Sequence, residues 1–371
     1  MAYLTDRPWD NWYQDHGDAF GDALVAATTH HRDPLGAGGG FTGSESEQAA
    51  ILASQAVFLF SHRVQDNGWN MPDGMSDSVG EMLANYIADV WAGSQYGDPH
   101  TTTLPDGTKI DSWLVDRTYG VGGIPVGIAV QGDDLRTVYG QMGQTPNDLG
   151  IKYVTAATIG LFQAKVNAAL DGYDSNGAAP NTINQLRTTA FADELENISS
   201  QFGRTLGPII DSSYRGGMAD EQITQDERQA QANTIRTIDA FIPSSKNPMI
   251  SGMTDVAIEM IAQSYEDEPN SVATQTALNS EQSIRAAVDQ MLYTSFWQAG
   301  YFSDSAVELP TGVLMDSGNG VMIINPEAWN EDSTVIGDDV RKQFNRWLEQ
   351  NPIGNYTDDP ITSYKNSIGG F

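Results

Sequence analysis

Residues 74–93 read GMSDSVGEMLANYIADVWAG. Met75, Val79, Met82, Leu83, Tyr86, Ile87, Val90 and Trp91 recur at steps of three and four, which draws one broad apolar stripe along a helix. Asp77, Ser78, Glu81, Asn85 and Asp89 fall on the other side. Turn and cap residues (Asp73-Gly74 and Ser76) open the run, and Gly93 stops it. Such a stripe is not stable in water without a partner. The preceding segment offers one. Ser44-Glu45-Ser46-Glu47 has the form of a capping box, and the helix it starts is predicted to reach about Val64. Its middle, AVFLF at 56–60, is apolar on every side and is expected to be buried. The turn-rich DNGWNMPDG at 66–74 joins the two, so 47–64 and 75–91 read as a helical hairpin.

Outward from this pair, Asp18 to Thr29 reads as a helix ended by His30, His31, Arg32 and Asp33 and by the glycine-rich 36–40 loop. Residues 1–16, with Tyr3, Trp9, Trp12 and Tyr13, read as an arm or short helix packed on the body. On the other side, Leu104-Pro105-Asp106-Gly107 is a tight-turn signal that lets TTTL pair with KIDSWLV as a β-hairpin. GVGGIPVGIAV, from Gly120, is either an extended loop or a buried strand. Asp133-Asp134 open a helix, and Thr145-Pro146 start another that runs to Leu170 and completes the packing around 75–91. That helix has a small-residue face (Ala156, Ala157, Gly160, Ala164) and a large apolar face (Ile159, Phe162, Val166, Leu170), as expected of a central element. DGYDSNGAAPN at 171–181 reads as the boundary between lobes. Beyond it, helices are predicted near 182–202, 219–241, 252–266 and 279–298, with breaks at Gly207-Pro208, Gly216-Gly217, Pro243 to Pro248 and Pro269. A β-hairpin is predicted within 308–326, a last helix over 335–348, and a loosely held tail over 351–371. The fold class that follows is mainly α: a two-lobed helical bundle, 1–178 and 179–371, with two small β-hairpins.

The chain has 371 residues, 40 % of them hydrophobic, which suffices for a large buried core. Lys and Arg number 19 against 49 Asp and Glu, a formal net charge of −30. That field repels phosphate backbones and anionic lipid, so nucleic acid is not an expected partner; a protein partner is, a basic one included. The acids are spread along the chain, as on a well-solvated surface. With no cysteine, thiol catalysis, disulfides and cysteine-held metals are excluded. No run of apolar residues is long enough to span a bilayer, so membrane insertion is not expected. MAYLTDRPWDNW lacks the basic and apolar regions of a signal peptide.

The chemistry-bearing residues form no recognised motif. His30 and His31, with Asp33 and His16, are the densest metal-type group, but adjacent helical histidines point about 100° apart. A helix-end role at the negative end of the dipole fits them better. Asp171, Asp174 and Asn176 before Gly177 resemble the start of a calcium loop, yet the sixth position is Asn176 and the twelfth Thr182, where such a loop needs Gly and Glu. GVGGIPVG at 120–127 lacks the Lys-Ser or Lys-Thr of a phosphate cradle and reads as tight backbone packing. Paired acids stand at Asp133-Asp134, Asp338-Asp339 and Asp358-Asp359, the first two at helix starts. Trp9, Trp12, Trp69, Trp91, Trp113, Trp297, Trp329 and Trp347 are expected mostly in cores. No catalytic residue, cofactor or metal site is selected by these patterns.

Several blocks resemble an uncharacterised family of large, mostly helical actinobacterial proteins associated with type VII secretion substrates of the Trp-x-Gly kind. They are the Trp9 to Trp12 segment, DALVAATT at 22–29, SEQAAILASQAVF at 46–58, MPDGMSDSVGEMLANYIADVW at 71–91, and AVELPTGVLMDSGNGVM followed by Trp329 and Trp347. Trp91-Ala92-Gly93 is formally a Trp-x-Gly, placed after the second helix of the pair rather than in its turn. None of the 14 tyrosines has an acid four residues on, so the associated export signal is missing. The resemblance implies a non-enzymatic helical scaffold or delivery module of a larger exported bacterial assembly, binding protein partners through helix faces. It also implies a secreted or cell-surface location reached without a cleaved signal peptide; a cytoplasmic one is the alternative. Two other functions stay open: a carboxylate-dependent hydrolase, and an acidic immunity-type neutraliser of a basic partner.

Overall fold

The computed structural model describes residues 17–29, 44–67, 70–93, 100–103, 109–112, 120–121, 124–125, 128, 130, 132–144, 149–175, 190–219, 285, 288–302, 305–316, 322–329 and 334–353. These residues are mainly helical. In chain order they form α1 (Asp18–Thr29), α2 (Ser44–Asn67), α3 (Asp73–Asn85), α4 (Ile87–Gly93), β1 (His100–Thr103) and β2 (Lys109–Ser112). Next come β3 (Gly120–Val121), β4 (Ile124–Pro125), α5 (Gly132–Met142), α6 (Leu149–Ser175) and α7 (Ala190–Ala219). A helix over 288–298, here α8, precedes β5 (Leu314–Asp316), β6 (Met322–Ile324) and α9 (Asp338–Gln350). The strands pair only as antiparallel twos: β1 with β2, β3 with β4, β5 with β6. The two predicted hairpins are therefore present, and the Gly120 segment adds a third pair of two-residue strands. No helix among the described residues is long and apolar enough to cross a membrane. The predicted helices at 219–241 and 252–266, the arm at 1–16 and the lobe boundary beyond Ser175 lie outside the described residues.

Backbone contacts divide the chain into two compact units, Met1–Thr155 with Pro208–Glu227, and Ala156–Gly207 with Arg228–Phe371. In the first unit every residue of the opening stripe is buried, from Met75 to Trp91. Among the described residues, α3 packs chiefly against α1 and also against α5, while α2 packs against α5 and α1. The polar side of α3 and α4 is partly covered: Ser78 and Asp89 are buried, while Asp77, Glu81 and Asn85 are half-buried, and small residues let neighbours in. A Cβ at Gly21 of α1 would strike the Ser78 side chain, and one at Gly80 would strike the backbone of Gly150 in α6. Asp89, on α4, is buried and accepts the Ile128 N–H at 3.3 Å.

The single helix predicted over 75–91 is broken at Tyr86, whose φ of −105° and ψ of 12° end α3. Two interactions account for the break. The Asn85 side chain donates to Glu81 O at 2.9 Å, competing with the backbone ladder. The Tyr86 hydroxyl donates at 2.8 Å to Thr28 O, a carbonyl in the last turn of α1 that the helix itself cannot satisfy. Tyr86→Phe strands that buried acceptor and is expected to cost about 1–3 kcal/mol. Chemical denaturation reads the loss, and an unchanged midpoint would show the bond to be dispensable.

The second unit is built on aromatic packing. Tyr293 on α8 and Phe302 after it stack at 5.9 Å between ring centres. Trp347 on α9 meets Phe302 edge-on at 4.8 Å. α8 ends where Gly300, at φ of 81°, lets the Tyr301 N–H return to Phe296 O at 3.0 Å. Gln290, Thr294 and Gln298 lie four residues apart on α8 and face β6. Gln290 donates to Ile324 O at 3.1 Å, Ile324 N–H donates to Thr294 at 3.2 Å, and Gln298 donates to Met322 O at 2.8 Å. The start of the tail is held rather than loose. The Asn351 side chain donates to Ser305 at 2.8 Å and to Trp347 O at 2.9 Å, and Ile353 is buried.

Two predicted breaks are absent: α7 runs on through Gly207-Pro208 and Gly216-Gly217. An interior proline costs about 3 kcal/mol. Burial of Phe202, Leu206 and Ile209 around it outweighs that cost. At Gly160, on the small-residue face of α6, a Cβ would meet nothing within 4 Å among the described residues. A close approach to α3 falls at Gly150, one residue inside the start of α6.

Candidate functional site

Asp134 is the polar side chain that most needs explaining. It lies in the first turn of α5 beside Asp133, yet the two behave oppositely. The Asp133 side chain is 82 % exposed and pairs with Arg136 at 3.3 Å. Asp134 turns the other way, onto the face that carries Leu135, Val138 and Met142, and its side chain is only 4 % exposed. There it meets α2, where Ser61 and His62 interrupt the apolar run.

The Ser61 hydroxyl hydrogen-bonds to the Asp134 carboxylate. His62 Nδ1 stands 3.8 Å from Asp134 Oδ1. The same ring nitrogen lies 3.1 Å from Phe58 O, so an Nδ1–H donates to that carbonyl and Nε2 carries the lone pair in the neutral ring. Phe58 also packs on the imidazole at 3.9 Å between ring centres. The His62 side chain stays 42 % exposed. A polar seam continues along the two helices: Gln65 Nε2 donates to Ser61 at 3.2 Å and to Thr137 at 3.3 Å, and Thr137 donates to Asp133 O at 2.8 Å.

Asp134 Oδ2 has no hydrogen-bond partner among the described residues. Burial pushes the Asp134 carboxyl above the usual carboxylate range, and the Asp133 charge adds to this; the Ser61 bond and His62 pull the other way. The linkage has a definite sign. A carboxyl raised in the folded state keeps its proton after the unfolded chain has lost it, so folding weakens as pH rises between the two values. Ionised Asp134 is thus tolerated by the fold rather than favoured by it. Chemically, the arrangement joins a buried acid that holds its proton more tightly than usual to an exposed, oriented imidazole.

A second acidic group lies on α1, α3 and the start of α6. Burial raises the Glu81 carboxyl and Asp22 adds to it. Burial raises the Tyr153 phenol, with Asp77 and Glu81 contributing. No set of three or more His, Asp or Glu side chains among the described residues is placed to hold a metal ion.

The residues singled out from sequence are mostly dispersed. His16, His30, His31, Asp33 and Asp358-Asp359 lie outside the described residues, as do Trp9, Trp12, Trp69 and Trp113. Asp171 and Asp174 fall within helix α6, not in a loop, because the helix extends to Ser175. Asp338 and Asp339 occupy the first turn of α9, with Asp338 3.7 Å from Arg341. Trp91 and Trp347 are core residues, and Trp329 packs against Phe344 and Tyr293. Ser61 and His62 were not anticipated; the signal for them is a polar pair directly after AVFLF on a helix expected to be buried. No family model, no curated protein and no solved structure matches this chain.

Proposed function

We propose that the chain is a non-enzymatic helical scaffold or delivery module of a larger exported bacterial assembly, and that it binds protein partners through its helix faces. The observation that carries this reading is where the acids sit. Asp18 and Asp22 on α1, Asp133 on α5, Asp193, Glu194 and Glu196 on α7, and Asp338 and Asp339 on α9 are all exposed, in a chain of net charge −30. Solvated acids on the helices of each unit give each a surface suited to steering a basic protein partner. The sequence blocks that resemble secretion-associated proteins support the exported setting. A partner co-purified from the native source is expected to bind about tenfold more weakly at high salt than at low salt. Joint substitution of Asp193, Glu194 and Glu196 by Lys is expected to slow association. Affinity that ignores both salt and charge reversal would sink this reading.

A second reading has one observation in its favour. The buried Asp134 with its raised carboxyl and the exposed His62 beside it are the components of an acid–base enzyme site. Turnover abolished by both Asp134→Asn and His62→Gln would select it over the scaffold.

A further inference from the structure

Helices α2 and α5 run in the same direction where they touch, since His62 meets Asp134 and Gln65 meets Thr137. Their shared seam holds one buried carboxylate and one half-exposed imidazole, 3.8 Å apart, on separate helices. We propose that His62 and Asp134 form a proton-operated latch that tightens the packing of α2 against α5 on acidification.

The argument rests on placement. Histidine is the side chain whose charge ordinarily changes between pH 5 and 8. When the imidazole is neutral, the ionised Asp134 carboxylate is left buried with Ser61 as its hydrogen-bonding partner and Oδ2 without one among the described residues. A buried charge without a counter-charge is costly. When the imidazole carries a proton, the same carboxylate gains a counter-ion within reach across the seam. The exposed edge of His62 gives that proton a route from solvent, while the buried Asp134 keeps the attraction poorly screened. Acidification thus supplies the counter-charge to a carboxylate that is still ionised; protonation of Asp134 itself would end the ion pair rather than add to it.

Other charges around the seam do not substitute for this pair. On α5, Asp133 opposes ionisation of Asp134, and Arg136 is engaged with Asp133 at 3.3 Å. On α2, His62 is the titratable group that acts on Asp134. α3 and α1, the other helices packed on α5 and α2, carry Asp22, Asp77 and Glu81, whose charges act on Glu81 and Tyr153 instead.

The test is amide hydrogen exchange of the full chain, read at pH 8 and at pH 5.5. Asp134→Asn keeps the shape and the Ser61 acceptor but removes the charge. In the variant, amide protection over 48–65 and 132–142 is expected to lose its dependence on pH; a dependence as strong as in the wild-type chain would overturn the latch. Should the variant fail to fold, amide exchange in the wild-type chain decides the matter. Between pH 8 and pH 5.5, after correction for intrinsic exchange, protection is expected to rise about tenfold in 48–65 and 132–142 relative to 338–350. An equal change in all three segments would overturn it.

Discussion

Gly80→Val is expected to destabilise the first unit by about 3 kcal/mol or more, at the upper end of what overpacking costs. At this position the obstacle is main chain. A Cβ at Gly80 would fall on the Cα, carbonyl carbon and carbonyl oxygen of Gly150, and no side-chain rotation can clear them. Helices α3 and α6 would have to separate, pulling Met82 and Leu83 away from the core in which they are fully buried. Gly160→Ala, on the same α6 helix, makes the contrast. Nothing lies within 4 Å of a Cβ there, and alanine is the better helix former by about 1 kcal/mol. Chemical denaturation followed by circular dichroism is expected to move in opposite directions for the two substitutions. A wild-type midpoint for Gly80→Val would mean that the two helices do not cross where described.

Trp347→Ala is expected to cost about 3–5 kcal/mol in the second unit. The indole is 1 % exposed and is surrounded by rings on three sides: Tyr293 at 5.5 Å, Phe302 at 4.8 Å and Phe344 at 5.9 Å between centres. These partners come from α8, the turn after it and α9, so the cavity would open where three segments converge. Trp347→Phe keeps a ring in place and is expected to lose less than half as much. Equal losses for the two variants would show that ring packing is not what holds α9.

Both effects bear on how much the sequence discloses. The apolar stripe of 75–91 was legible, and so were α1 to the residue and the two larger hairpins, because each has strong periodicity or a turn that few residues allow. The break at Tyr86 was not, since Asn85 and Tyr86 fit the helical pattern and the break also depends on the distant Thr28 carbonyl. Pro208 misled for the opposite reason: local propensity argues for a stop, and burial across the turn overrides it. The meeting of α3 with α6, at Gly80 and Gly150, was legible in the apolar stripe, whereas the close packing of α1 on α3 was not, because it depends on Gly21 leaving room for Ser78. Asp134 was visible as one of a pair at a helix start. Its burial and its meeting with Ser61 and His62, some seventy positions earlier, arise from the α2–α5 packing.

The glutamines and threonine of α8 have a bearing on assembly. A β-hairpin with a bare margin invites a strand from another molecule, and acidic charge alone deters this only from a distance. Gln290, Thr294 and Gln298 occupy the outward N–H and carbonyl positions of β6 at Ile324 and Met322. A visiting strand would have to displace three hydrogen bonds already made within the fold. The hairpin is therefore closed to sheet growth along β6, and the chain is guarded there against docking on a second copy of itself.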